Sequence, residues 1–332
     1  MPPLVSVILP YYNAEATLET AVQSILSQYY VHLELLLIDN NSSDSGMQIA
    51  QRYAAKDTRV RLIHEPRQGV VYAANTGIRL ARGAYIARMD ADDTCSPNRI
   101  SSQVEQLTND ATLSISATQV TYGSSNRTND FQHFIDWSNN LLSHEQIFLN
   151  RFVEFPVVNP TLMVKKEVFN QIGLFREGDF PEDYEWFLRA MEAGYHIEKL
   201  AEPLLIWQDS ETRLTRTDTR YETEAFFQIK TQYLANVLQQ NNQKSVWVWG
   251  AGKLALRRSK WLEDHHIRIA GYIDIKKNKH LADYSCVHFE DINPTDEPFI
   301  ISYITNRGRR DEIRAFLNQK GYKEGHNYII AG

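Results

Sequence analysis

At 332 residues the chain is too long for one ordinary domain and suits two, each able to bury its own core. With 43% hydrophobic and 23% charged residues it reads as globular, and a net charge of −6 argues against a nucleic-acid binder, which needs a basic surface. The two cysteines, Cys95 and Cys286, have no metal-ligand spacing, so neither a disulfide framework nor a zinc cage is expected, and a reducing cytoplasm fits.

Val5–Leu9 opens the chain as a strand. It lacks a basic leader and is cut at Pro10, so it does not read as a signal peptide. A helix is expected over Ala16–Gln28, a strand over Leu33–Ile38, a helix over Ser45–Ala55, a strand over Val60–His64, a helix over Val71–Ala81 and a strand over Ala84–Met89. Strands alternating with helices imply right-handed crossovers and a mostly parallel open sheet covered on both faces. Residues 100 to 215 are less regular, with a helix near Arg99–Leu107, a strand near Ser114–Val120 and a helix after Pro181. Phe226, Ile229, Tyr233 and Val237 share one face of a long helix, Tyr221–Gln239, read as a connector over 216–243. A fresh strand, Ser245–Trp249, then starts a second domain over 244–332. No apolar run approaches the ~18 residues that span a bilayer, so any membrane association is expected to be peripheral, at the inner face of the membrane.

In open α/β sheets ligands bind beyond the carboxyl ends of the strands. Here those ends read Pro10-Tyr11-Tyr12-Asn13, Asp39-Asn40-Asn41-Ser42-Ser43-Asp44, Glu65-Pro66-Arg67-Gln68-Gly69 and Asp90-Ala91-Asp92-Asp93. Asp39 and Asp44 also suit plain helix N-caps. The last loop is harder to explain structurally: three carboxylates in four residues repel one another, and Mg²⁺ or Mn²⁺, which takes oxygen ligands and shares them with phosphates, relieves that repulsion.

These four strings, with Ala74-Asn75-Thr76-Gly77 and Ala81-Arg82-Gly83, resemble in order and spacing the GT-A fold of family 2 glycosyltransferases over about residues 4 to 215. The resemblance implies a nucleotide-diphosphate-sugar donor, UDP-linked in the leading reading, and inverting transfer to a glycan or lipid-linked acceptor. It places Asp39 at the base, Pro10, Tyr11, Asn13 and Arg67 around the nucleotide, Asn75 with the donor, Asp90 at the ribose or metal, and Asp92 on the metal. In Phe180-Pro181-Glu182-Asp183 at a helix head, it makes Asp183 the general base beside Glu182. The plain alternative is that both acids complement the helix dipole. Asn159-Pro160-Thr161 is where the family presents acceptor-side residues. The Arg-x-His and Ser of many relatives is replaced by Trp207–Arg216, which has no histidine, so a His metal ligand is not expected; Arg213 and Arg216 are suited to the leaving diphosphate.

In the second domain, Gly250-Ala251-Gly252-Lys253-Leu254-Ala255 follows a strand, and Asp274 closes the next one, as in a dinucleotide site. A third strand, Phe299–Ile304, and a helix, Arg309–Lys320, complete a small Rossmann-like unit. Nucleotide binding and a structural role, as in a homo-oligomer, both stay open. Two other classes compete with the leading reading. A nucleotidyltransferase is expected to carry a glycine-rich basic loop after the first strand, which is absent; a non-catalytic nucleotide-sugar-binding scaffold is expected to have lost Asp90, Asp92 and Asp183, which are present.

Overall fold

A computed structural model describes residues 2–123, 129–209, 213–293 and 298–332. The chain divides into two compact units: Met1–Ile147, Val157–Gly178 and Glu182–Asp218 form the first, and Phe148–Pro156, Asp179–Pro181 and Thr219–Gly332 the second.

The first unit is built on one sheet. Its strands are β1 (Val5–Tyr11), β2 (Leu33–Asp39), β3 (Val60–His64), β4 (Tyr85–Arg88), β5 (Thr94–Cys95), β6 (Leu113–Tyr122), β7 (Met163–Lys165) and β8 (His196–Trp207). They lie in the order β3-β2-β1-β4-β7-β6-β8-β5. The first four are parallel, β7 runs antiparallel to both neighbours, and β6 and β8 are parallel again. β1 and β2 are buried along their whole length because helices cover both faces. Val5, Val7 and Leu9 share a core with Leu18 and Ile25 of the helix Leu18–Leu26 and Ile100 of the helix Arg99–Asn109. On the other face the helix Val70–Leu80 comes so close that a Cβ on Gly77 would lie 2.9 Å from Ile38 Cδ1 and 3.1 Å from Ile8 Cγ2.

β1 extends beyond the expected Leu9, through Pro10 to Tyr11. Met89 N–H bonds to Ile8 O, so by the two-residue period Pro10 turns its nitrogen to the β4 side, where pairing has stopped at Ile8↔Arg88. Its missing donor therefore breaks no ladder. The register continues Tyr11↔Asp39 and Asp39↔His64, which puts these three side chains in one row at the carboxyl edge.

The second unit carries a wholly parallel sheet of five strands: β9 (Ser245–Trp249), β10 (Arg268–Asp274), β11 (Cys286–His288), β12 (Ile300–Ser302) and β13 (Tyr328–Ile330), in the order β11-β10-β9-β12-β13. It is a fuller doubly wound sheet than the three strands expected from sequence; β11 and β13 have only three residues each, too few to show a periodicity. The long helix spans Thr223–Gln240 and packs within this unit. Its buried face includes Phe227, Lys230, Thr231, Leu234 and Leu238, whereas Phe226 and Val237, expected on that face, lie at its margin.

Candidate active site

The carboxyl edge of β1 to β3 is laced before any ligand is considered. Asn13 (φ 47°) accepts Ser43 N–H on its Oδ1 at 2.8 Å, and its own N–H donates to Ser42 Oγ at 3.1 Å. Asp44 accepts from Glu15 N–H at 2.8 Å, and Glu15 accepts from Ser45 N–H at 2.9 Å. Asp44 is thus spent joining two loops. Asp39 is 1% exposed, with Oδ2 3.0 Å from His64 Nδ1. Beside it Tyr11, also buried, has its hydroxyl pKa raised by burial and by the charges of Asp39 and Asp44.

Arg67 sits at the rim. Glu65 accepts its Nε at 2.9 Å and its Nη2 at 3.0 Å, and Thr76 Oγ1 donates to the same carboxylate at 2.6 Å. The Arg67 bond and the Thr76 bond hold the Glu65 carboxyl down at about 2. The guanidinium also covers the Tyr72 ring, 4.6 Å from its centroid. Asn40 pins this loop, donating to the carbonyls of Glu65 and Arg67 and accepting Gly69 N–H at 2.8 Å.

Past β4 the edge turns acidic. Asp90 accepts Arg88 Nε at 2.9 Å and Nη2 at 2.8 Å. Among the described residues Asp92 has no such neutralising pair, and burial, then the Asp90 charge, raises its pKa. Asp93 is 1% exposed; one oxygen accepts Gln208 N–H at 2.8 Å, while Oδ2 has no partner among the described residues. Its pKa is pushed well up by burial and by Asp90 and Asp92. Beneath the loop the fully buried Arg99 donates to Arg88 O at 2.8 Å and adds a positive charge near Asp90 and Asp93. Among the described residues no three acidic, histidine or cysteine side chains cage an ion by themselves. A buried carboxylate oxygen without a donor beside a second raised carboxylate nevertheless fits a divalent cation whose remaining ligands come from a diphosphate.

Glu182 and Asp183 head the helix Glu182–Glu192, directly after Pro181. Asp183 Oδ1 accepts Tyr184 N–H at 2.8 Å. Burial, then the Glu182 charge and that of Asp90, pushes the Asp183 carboxyl up to about 8. The helix is anchored from behind: Arg189 grips Glu185 and the carbonyls of Ile172 and Leu174, and Trp186 Nε1 donates to Gly173 O at 3.1 Å. Asn75 completes the anchor, with Nδ2 donating to Phe175 O at 2.9 Å and Oδ1 accepting Phe175 N–H at 3.1 Å. Both ends of its amide are therefore engaged by the backbone that leads to this helix.

Arg213 is brought to the acidic loop: its charge acts on Asp92 and Asp93, it donates to Gln208 O at 2.6 Å, and it stacks over Trp207 at 4.1 Å. Arg216 pairs instead with Asp209 at 2.6 Å and covers Phe131. Ser210, Glu211 and Thr212 lie outside the described residues. Asn159–Thr161 forms a short 3-10 turn in which Pro160 and Thr161 are buried. The sequence reading gave no role to the side chains of His64, Glu65, Arg88 and Arg99 or to the Gln208 N–H, each of which holds or balances a residue it did name. The only available signal was position: His64 and Arg88 end strands whose next residues had been singled out.

The family profile described as Glycosyl transferase family 2 matches residues 6–173, just over half of the chain, and the chain belongs to that family. It is 28% identical over 259 residues to the uncharacterized glycosyltransferase EpsJ of Bacillus subtilis strain 168, covering 73% of this chain and 71% of EpsJ. It is 29% identical over 205 residues to chondroitin synthase of Escherichia coli, 60% of this chain but 28% of that protein. The fold matches S. aureus TarS 1–349 in complex with UDP-GlcNAc at a TM-score of 0.57 and 15% identity, over 79% of this chain and 71% of that one. It also matches the mannosyltransferase PcManGT of Pyrobaculum calidifontis, in complex with GDP-Man and Mn²⁺, at 0.52 and 19%, over 79% and 70%. The first unit has the GT-A fold of these glycosyltransferases, followed by a second α/β unit. Among the described residues no helix is long and apolar enough to cross a membrane.

Proposed function

We propose that the protein transfers a hexosyl group, with inversion, from a nucleotide-diphosphate sugar to a hydroxyl of a glycan or lipid-linked acceptor. TarS and PcManGT, solved in complex with UDP-GlcNAc and with GDP-Man, favour such a donor, and UDP is the leading choice. Tyr11, Asp39 and Arg67 line the nucleoside end of the edge, with Pro10 and Asn13 shaping its floor. Asp92, with Asp90 beside it, is the residue that would hold Mn²⁺ or Mg²⁺. Bound there, the cation supplies charge neutralisation to the leaving diphosphate. Arg213 adds a fixed positive charge on the same side, and Arg216 reaches the diphosphate only by leaving Asp209.

Asp183 accepts the proton of the acceptor hydroxyl as that oxygen bonds to the anomeric carbon and the bond to the diphosphate oxygen breaks on the opposite face. What supports this role is one observation: a half-buried helix-head carboxyl within reach of the Asp90 charge, whose pKa is lifted to about 8 and so near working pH. Glu182 contributes by keeping that pKa high. Asp183→Asn retains the size and the helix start but removes the acceptor of the proton. Turnover is expected to fall by roughly 10²–10⁴-fold with donor affinity unchanged, measured as UDP release alongside calorimetric donor binding. Near-wild-type turnover in the folded variant rules out the assignment.

A further inference from the structure

The sequence singled out Gly250-Ala251-Gly252 and Asp274, and transfer chemistry in the first unit uses neither. In the second sheet the chain moves from β9 to β10 and β11 on one side, then crosses to β12 and β13 on the other. The crevice beyond β9 and β12 is therefore the topological switch point, where open parallel sheets receive ligands. The two strand ends abut there: Tyr303 N–H bonds to Trp249 O at 3.1 Å, and a Cβ on Gly250 would lie 2.9 Å from Ile304 Cδ1. Each end leads into a helix, Lys253–Asp264 or Arg307–Gln319. The first has no side-chain cap at Gly252, whereas the second is capped by Asn306 Oδ1, which accepts Arg309 N–H at 3.1 Å. An uncapped helix start favours anions.

A separate observation points the same way. Within this unit Lys230, Arg258 and Arg310 are 2%, 4% and 6% exposed. Arg258 pairs with Glu224 at 2.8 Å. Among the described residues Lys230 Nζ and Arg310 Nη2 reach only backbone carbonyls, of Val153 at 3.1 Å and Thr305 at 2.8 Å, and Arg310 Nε has no partner. Lys230 and Arg258 each lie 3.5 Å from the centroid of the Phe227 ring, which itself packs on Tyr303. Glu154 acts on both Lys230 and Arg310 but is 40% exposed and pairs with Arg307. Burial lowers the pKa of Lys230 well below its usual value and brings that of Arg310 to about 10, the strain expected of buried cations without enough counter-charge. Asp274 does not offer itself to a ribose: Oδ2 accepts Lys279 Nζ at 2.7 Å and Ala251 N–H at 3.2 Å, and Oδ1 accepts Lys276 N–H at 3.0 Å.

We propose that the crevice between β9 and β12 binds the phosphate groups of a small ligand, held by Arg310 and the uncapped start of the helix Lys253–Asp264, with Lys230 and Arg258 nearby adding positive charge. The site reads phosphate rather than ribose. The test is equilibrium dialysis of the full chain with radiolabelled pyrophosphate, and in parallel with ADP, in EDTA so that divalent cations take no part. Saturable binding with about one site per chain is expected, unchanged by Asp92→Asn in the first unit and by Arg309→Gln on the exposed face of the same helix. Arg310→Gln is expected to weaken it at least tenfold. So is Gly252→Asp, where a Cβ meets nothing within 4 Å and Asp is a favoured helix cap, so the fold is kept while a negative charge guards the entrance. Should Arg310→Gln fail to fold, Gly252→Asp decides alone. Equal affinity for the two probes assigns a free phosphate group, and ADP bound at least tenfold tighter assigns a nucleotide. No saturable binding to the wild type, or wild-type affinity in Gly252→Asp, overturns the proposal.

Discussion

Asp183 carries opposite demands from stability and from chemistry. Its folded pKa, about 8, lies above the usual 3.8, so the fold retains a proton that the unfolded chain has released. Stability from this group is full below about pH 4 and is lost as pH rises through about 8. Asp183→Asn is therefore expected to melt at the same temperature as the wild type near pH ~4 and above it near pH ~9, while turning over far more slowly. Scanning calorimetry at the two pH values checks this, and a variant less stable at the higher value contradicts the burial argument. At Asp92 the expectation concerns the metal: Asp92→Asn should weaken UDP-sugar binding at least tenfold in Mn²⁺ and abolish the difference between Mn²⁺ and EDTA. A wild-type affinity indifferent to Mn²⁺ removes the metal from the reading. The acids were legible at this scale because they are short-range strings after strands. Their counter-charges were not: Arg88 ends an apolar strand, and Arg99 starts an amphipathic helix, where a lone arginine has no pattern to mark it.

Among the elements, the alternating first hundred residues were readable because each strand is an unbroken apolar run and each helix has a periodic face. β8 was missed. Glu198, Lys199, Glu202 and Pro203 interrupt its twelve residues, and its register with β6 shifts at three places, which erases the two-residue period. That strand delivers Trp207 and the Arg213 segment to the acidic loop, so missing it hid how the loop is balanced. The helix Glu182–Glu192 depends equally on a distant residue. Removing the Asn75 amide leaves the buried N–H and C=O of Phe175 without these bonds, so Asn75→Ala should cost about 1–3 kcal/mol in urea unfolding. It should also lower turnover more than donor affinity, since the amide holds the backbone at Phe175 that leads to the helix of Asp183. Gly77→Ala tests the packing of the opposite face. The added methyl meets Ile8 and Ile38, and a net loss of about 1–2 kcal/mol is expected although alanine is the better helix former.

For the molecule as a whole, the sequence suggested a clean division at residue 243, and the observed units interleave. Phe148–Pro156 and the helix Thr223–Gln240 belong with the second sheet, whose first strand begins only at Ser245. Lys230 bonds Val153 O, Arg314 bonds Asn150, and Phe152, Val153 and Phe155 are buried. No local pattern announces that nine residues of one unit belong to another, because membership is decided by contacts made far along the chain. A chain ending at residue 243 is expected to keep these apolar groups without their sheet and to aggregate, which size-exclusion chromatography of the truncated and full proteins would reveal. A soluble monomer with an unchanged first-unit melt would show that the interleaved segments are dispensable. The same threading sets a timetable for synthesis on the ribosome. Phe148–Pro156 leaves the exit tunnel well before β9 has been translated, so its aromatic side chains wait in water until the strands of the second sheet have been made. Cells making this protein face a window, fixed by translation speed rather than by final stability, in which a holdase must occupy that short segment or neighbouring nascent chains will.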